Sequence, residues 1–152
     1  MMSISARLAE LGITLPAVAA PVAAYVPAIT VGNQVWTSGQ LPFVDGKLPE
    51  TGKLGAEIGV DKGAEYARQC ALNALAAVDA EVGIDNVKRV LKIVGFVASA
   101  AGFNEQPAVV NGASSLIGEI FGQAGAHARS AVGVAELPLN APVEIEIIVE
   151  VA

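Results

Sequence analysis

From Val143 to Val151 the chain reads Val-Glu-Ile-Glu-Ile-Ile-Val-Glu-Val, alternating apolar and acidic positions almost without a break. A period of two predicts a half-buried strand, with Val143, Ile145, Ile147, Val149 and Val151 on one face and Glu144, Glu146, Ile148 and Glu150 on the other. Three carboxylates within seven residues repel one another unless each reaches water or a cation. The stretch from His127 to Ala135 reads as a preceding strand, and Arg129 near its start is a candidate cation.

The same patterning organises the rest. Ser3 to Leu11 predicts a short helix: Ser3 or Ser5 can cap it, Ile4, Leu8 and Leu11 share a face, and Gly12 stops it. Tyr25–Val31 and Gln34–Thr37, joined by Gly32-Asn33, predict a β-hairpin. Its second strand runs into Ser38-Gly39-Gln40, where a glycine at a strand end marks either a bulge or the close approach of another group to the backbone. Residues Phe43–Gly59, rich in Gly and Pro, read as an irregular loop holding at most one short strand.

Ala64, Ala67, Ala71, Ala74, Leu75, Val78 and Val82 then recur at three- and four-residue steps before Gly83, predicting a helix packed closely on a sheet. Cys70 belongs to it as a small packed residue. Val87 to Ala98 opens charged and becomes apolar on both faces, as an interior strand does. Pro107 suits the first turn of a second helix, striped by Val110, Ala113, Ile117, Ile120 and Phe121 and ended by Gly122 and Gly125, with Asn111 beside the stripe. The order predicts an α+β layer of two helices on one face of a mixed sheet.

Composition adds an oligomer. At 152 residues, 53% hydrophobic and 16% charged, the chain suits a single domain but has few polar residues with which to cover a monomer. A net charge of −6 opposes binding to nucleic acid. One cysteine and one histidine leave no disulfide and no cluster of zinc ligands. The uncharged run from Leu11 to Val44 resembles a signal peptide or membrane span, but Pro16, Pro21 and Pro27 interrupt it, so the expectation is an uncleaved cytoplasmic chain with no membrane association.

No phosphate-binding loop, dinucleotide fingerprint or nucleophile elbow is present, and His127 is the only histidine for a serine triad. The polar residues in or beside ordered elements are Tyr25, Ser38, Asn111, Arg129, Glu144, Glu146 and Glu150. Arg129 reads either as one half of a strand-end ion pair or as a bidentate clamp on a carboxylate. Glu144 reads either as a solvated outer-face carboxylate or as part of a site. If the last two strands form a simple hairpin around Pro138–Pro142, Glu144 lies about 20 Å from Arg129. The two then converge only from different subunits, unless the strands pair otherwise.

The motifs also carry a resemblance. Tyr25-Val26, Gly32-Asn33, Thr37-Ser38-Gly39-Gln40-Leu41-Pro42, Asn111, Ala128-Arg129-Ser130-Ala131-Val132, Leu137-Pro138 and Val143-Glu144-Ile145-Glu146 together resemble the RidA (YjgF) family from about Pro21 onward. The arm before it resembles an extension in a branch whose members carry names such as "chorismate-mutase-like" and "putative endoribonuclease". The resemblance implies a mixed six-stranded sheet with two helices on one face, a helical arm over residues 1–24, a RidA-like domain over 25–152, and a homotrimer with clefts between subunits. It implies an enamine/imine deaminase that hydrolyses 2-imino acids to 2-oxo acids and ammonia without a cofactor. Arg129 would hold the substrate carboxylate, Glu144 would position the attacking water, and Tyr25, Ser38, Gly39 and Asn111 would line the cleft. Ala131 stands where many deaminases have cysteine, so only its backbone amide could contribute. The alternative class is a trimeric sensor that binds a small carboxylate without turnover; an endoribonuclease is opposed by the acidic charge balance.

Overall fold

In a computed structural model of the chain, residues 2–18 and 24–152 are described; Pro21, one of the three prolines in the apolar run, lies outside them, and the expected boundary after residue 24 directly follows residues 19–23, which are also outside. Three α-helices and five strands are present among the described residues: α1 (Ile4–Glu10), β1 (Ala28–Val31), β2 (Gln34–Thr37), α2 (Val60–Val82), β3 (Val87–Ala98), α3 (Gln106–Phe121), β4 (Ala128–Val134) and β5 (Val143–Val151). The strands form one mixed sheet in the order β1-β2-β5-β3-β4.

The expected six strands and two helices are thereby corrected to five and three. The loop between β2 and α2, where a sixth strand had room, makes only isolated bridges such as Val44 with Lys47 and Leu54 with Ser99. Positive φ at Asp45, Gly46, Gly52 and Gly55 turns the backbone too often for a ladder to extend. The third helix is α1, the short helix expected over Ser3–Leu11 but not counted with the two on the sheet, in which the Ser3 hydroxyl caps the Ala6 amide. It packs through Leu8 on the core, and the Arg7 guanidinium donates to the carbonyl of Glu119 on α3. Ser5 donates from both its amide and its hydroxyl to Asp85, and these bonds hold that carboxyl below its usual range.

The last two strands do not form a hairpin. β3 lies between them, antiparallel to β5 and parallel to β4. The α3 crossover makes this possible, because parallel neighbours need a long connection and antiparallel ones do not. Helices α2 and α3 cover one face of the sheet, and the core fills the space between with Val35, Ile93, Val97, Ile145, Ile147, Leu75 and Ile117. Two glycines set the spacing. A Cβ at Gly95 of β3 would strike Val110 of α3, and one at Gly112 would strike the backbone carbonyl of Ala64 on α2, so both positions need a residue without a side chain. Tyr66 of α2 ties down the loop by donating to Glu50 at 2.6 Å, and burial first, then that carboxylate, push its hydroxyl pKa up to about 12.

Candidate functional site

Register decides which polar residues can meet. On β3, Ile93 pairs with Arg129 on one side and Ile147 on the other, whereas Phe96 pairs with Glu144 and Val132. Cross-strand partners share a face. Arg129 therefore lies on the face covered by helices and Glu144 on the open face, two strands away and about 14 Å apart between Cα atoms. Within this chain they do not meet, and Arg129 is not the cation that serves the acidic face of β5. Arg89 is, with its Nε 3.3 Å from Glu150.

The residues instead gather into two groups. In the first, Nη1 of Arg129 donates to Asn111 Oδ1 at 2.8 Å and to Ser114 Oγ at 3.3 Å. Asn111 and Ser114 are three apart on α3, so they occupy one helical face. Ser114 Oγ is also 2.9 Å from Nε2 of His127, whose Nδ1 is 2.6 Å from the carbonyl of Gly125. Arg129 is half-buried, and no carboxylate lies within ion-pair reach of it among the described residues. Its Nε and Nη2 make no hydrogen bonds there either. Those two nitrogens form the planar fork that grips a carboxylate. Ala131 follows on the same face and packs against the core.

In the second group, the pairing of β2 with β5 is interrupted and then resumed. Trp36 pairs with Ile148, and Gln40 exchanges two backbone hydrogen bonds with Ile145. Four steps on one side oppose three on the other, so Ser38-Gly39 form a bulge, a device that re-aims neighbouring groups. The Glu144 side chain lies against Gly39, where an added Cβ would collide with Oε2. Both sequence readings of Gly39, bulge and close approach, hold together. The Ser38 hydroxyl donates to Val26 O at 2.6 Å and its amide to Pro27 O at 2.8 Å, which brings the exposed Tyr25 to this edge. Burial, then the charge of Glu146, raises the pKa of Glu144. Cys70, fully buried nearby, is raised by its own burial and then by Glu144, so its thiol stays protonated against the Val143 carbonyl.

Sequence reasoning placed Arg129 and Asn111 in one site, and they touch. It missed Ser114 entirely and dismissed His127. The helical spacing of Asn111 and Ser114 was the available signal. Among the described residues, no three His, Cys, Asp or Glu side chains converge to hold a metal ion, and no helix is long and apolar enough to cross a membrane.

The profile of the family described as "YjgF/chorismate_mutase-like, putative endoribonuclease" matches residues 5–151. Protein TCP17 of Trypanosoma cruzi is 48% identical over 149 residues, spanning 97% of this chain and 93% of that one. A 2-iminobutanoate/2-iminopropanoate deaminase of Dermatophagoides farinae is 36% identical over 138 residues, spanning 90% and 93%. Among solved structures, the protein Atu1372 of Agrobacterium tumefaciens, of unknown function, superposes with a TM-score of 0.90 at 47% identity over 98% of this chain and 92% of its own. TdcF of E. coli, solved with bound serine, gives 0.65 at 27% identity over 91% and 96%.

Proposed function

The chain belongs to the YjgF (RidA) family, and from that premise we propose that it is an imine deaminase, hydrolysing small 2-imino acids to 2-oxo acids and ammonia in clefts between the subunits of a homotrimer. The observation that carries the reading is the Arg129 guanidinium: half-buried, without a carboxylate partner among the described residues, and with Nε and Nη2 free of hydrogen bonds there. A cation kept in that state is matched to a carboxylate supplied from outside. A deaminase name on one relative and bound serine in another support a small carboxylate-bearing molecule as that partner.

The reaction asks little beyond orientation. Water adds to the C=N carbon, forming a C–O bond while one water proton leaves and the nitrogen gains a proton. Collapse of the resulting carbinolamine breaks the C–N bond and releases ammonia and the 2-oxo acid. Arg129 fixes the substrate by its carboxylate, and Asn111 Oδ1 and Ser114 Oγ accept from its remaining amino group. Glu144, with its pKa raised by burial and by Glu146, is suited to take the water proton and return it to nitrogen.

Arg129 and Glu144 lie on opposite faces of one sheet, so in this reading each cleft takes Arg129 from one copy and Glu144 from its neighbour. The open face of the sheet supports such an assembly: Ile29, Val31, Trp36 and Val132 are each more than 40% exposed there, an apolar surface of the kind that another subunit covers. Ser38, Gly39 and Tyr25 then accompany Glu144, and Asn111 and the Ala131 amide accompany Arg129.

The test is ammonia release from 2-iminopropanoate and from a bulkier imino acid, each generated in place by an amino-acid oxidase. Acceleration over the uncatalysed rate, lost in Arg129→Ala, is expected. No acceleration with either imine, together with undiminished 2-oxo acid binding in Glu144→Ala, would replace the enzyme with a carboxylate sensor.

A further inference from the structure

We infer that His127 and Ser114 are positioning residues for Arg129, forming a one-way hydrogen-bond relay that leaves the Nε–Nη2 edge of the guanidinium as the carboxylate-binding surface; this deepens the deaminase reading and rests on it for the identity of the anion. The direction follows from what each group can do. The Gly125 carbonyl only accepts, so the proton of a neutral His127 ring sits on Nδ1, 2.6 Å away. Nε2 is then an acceptor, and the partner 2.9 Å from it, Ser114 Oγ, donates its single proton there. With that proton committed, the Ser114 oxygen presents lone pairs alone to Arg129 Nη1 at 3.3 Å. Asn111 Oδ1 takes the other Nη1 proton at 2.8 Å.

The consequence lies in which edge remains. Nη1 carries two protons and both are spent, whereas Nε and the neighbouring Nη2 keep theirs, and these form the side-on fork that fits the two oxygens of a carboxylate. Were Ser114 free to rotate, its hydroxyl could turn its own proton toward the guanidinium and lose the contact. His127 removes that freedom. The pair thus lowers the entropic cost of holding a flexible arginine in its binding rotamer, which appears as affinity for the anion rather than as chemistry at the imine carbon.

The probe is 2-oxobutanoate, titrated calorimetrically into the full chain and into Ser114→Ala, Ser114→Thr, His127→Phe and the Ser114→Ala/His127→Phe double variant, with KM and kcat measured on 2-iminobutanoate alongside. Ser114→Ala is expected to weaken binding about tenfold, raising KM with kcat changed less than about threefold. Ser114→Thr, which restores the hydroxyl, should return most of the affinity. His127→Phe should act in the same direction, and the double variant should bind no worse than Ser114→Ala, because His127 acts only through Ser114. Single effects that multiply in the double variant, or affinities unmoved in both singles, would overturn the relay. So would a nitrogen NMR spectrum showing neutral His127 protonated on Nε2. Should wild type bind 2-oxobutanoate with this pattern yet turn over no imine, the relay stands and the deaminase falls; turnover with indifferent variants gives the reverse.

Discussion

Adding one methyl group at residue 39 would place carbon where the Glu144 carboxylate now lies. The chain can yield by swinging the glutamate away, so Gly39→Ala should fold normally and, if the protein is the proposed deaminase, misalign the carboxylate that takes the water proton. We expect kcat/KM to fall about 100-fold, with a melting temperature within about 4 °C of wild type by circular dichroism. Glu144 itself has a pH signature in stability. Burial and Glu146 raise its folded pKa, so its contribution is fully present below the unfolded pKa, about 4, and is lost as pH rises through the raised folded value. Glu144→Gln carries no such loss. Its urea midpoint should match wild type in acid and exceed it above that window; equal midpoints across the range would refute the burial argument.

Elements are placed by contacts that exclude side chains as much as by those that use them. α3 crosses α2 where Gly112 meets the Ala64 carbonyl, and that approach carries Asn111 and Ser114 to the β4 edge that holds Arg129. Because the obstacle is backbone, Gly112→Ala should destabilise the fold by about 1–3 kcal/mol, read by chemical denaturation at fixed protein concentration. It should also weaken 2-oxo acid binding, since the separated helices move both acceptors of Arg129. The boundaries of β3 and β5 were legible in the sequence: burying one face of β5 imposes a period of two, and β3 shows as a run apolar on both faces, as an interior strand does. β1 begins at Ala28, three residues later than its apolar run, and among the described residues no sixth strand forms, because the glycines of the loop favour turns over pairing.

At the scale of the whole molecule, Arg129 and Glu144 lie on opposite faces of one sheet, and the proposed cleft requires an assembly to bring them together. If each cleft takes Arg129 from one copy and Glu144 from the next, Arg129→Ala and Glu144→Ala chains are inactive alone yet complementary when mixed. Unfolding and refolding them together in equal amounts should restore about one quarter of wild-type activity, the fraction of interfaces at which both intact residues fall together by chance. No recovery, with mixed assemblies demonstrated by mass, would place the whole reaction within one chain. Arg129, Asn111, Gly39 and Glu144 were all readable from the sequence as site candidates, as were the helices and strands, because local periodicity and motif spacing encode them. Strand order was not: the sequence left open a simple hairpin around Pro138–Pro142 or another pairing, and contacts distant along the chain decide it by inserting β3 between β4 and β5. Nor was the meeting of Ser114, His127 and Arg129, which a helix, a turn and a strand bring together in space. The sequence by itself determined which groups are available and on which face of its own element each lies; only the tertiary structure decided which faces meet, because strand pairing and helix packing are settled by burial summed over the whole core.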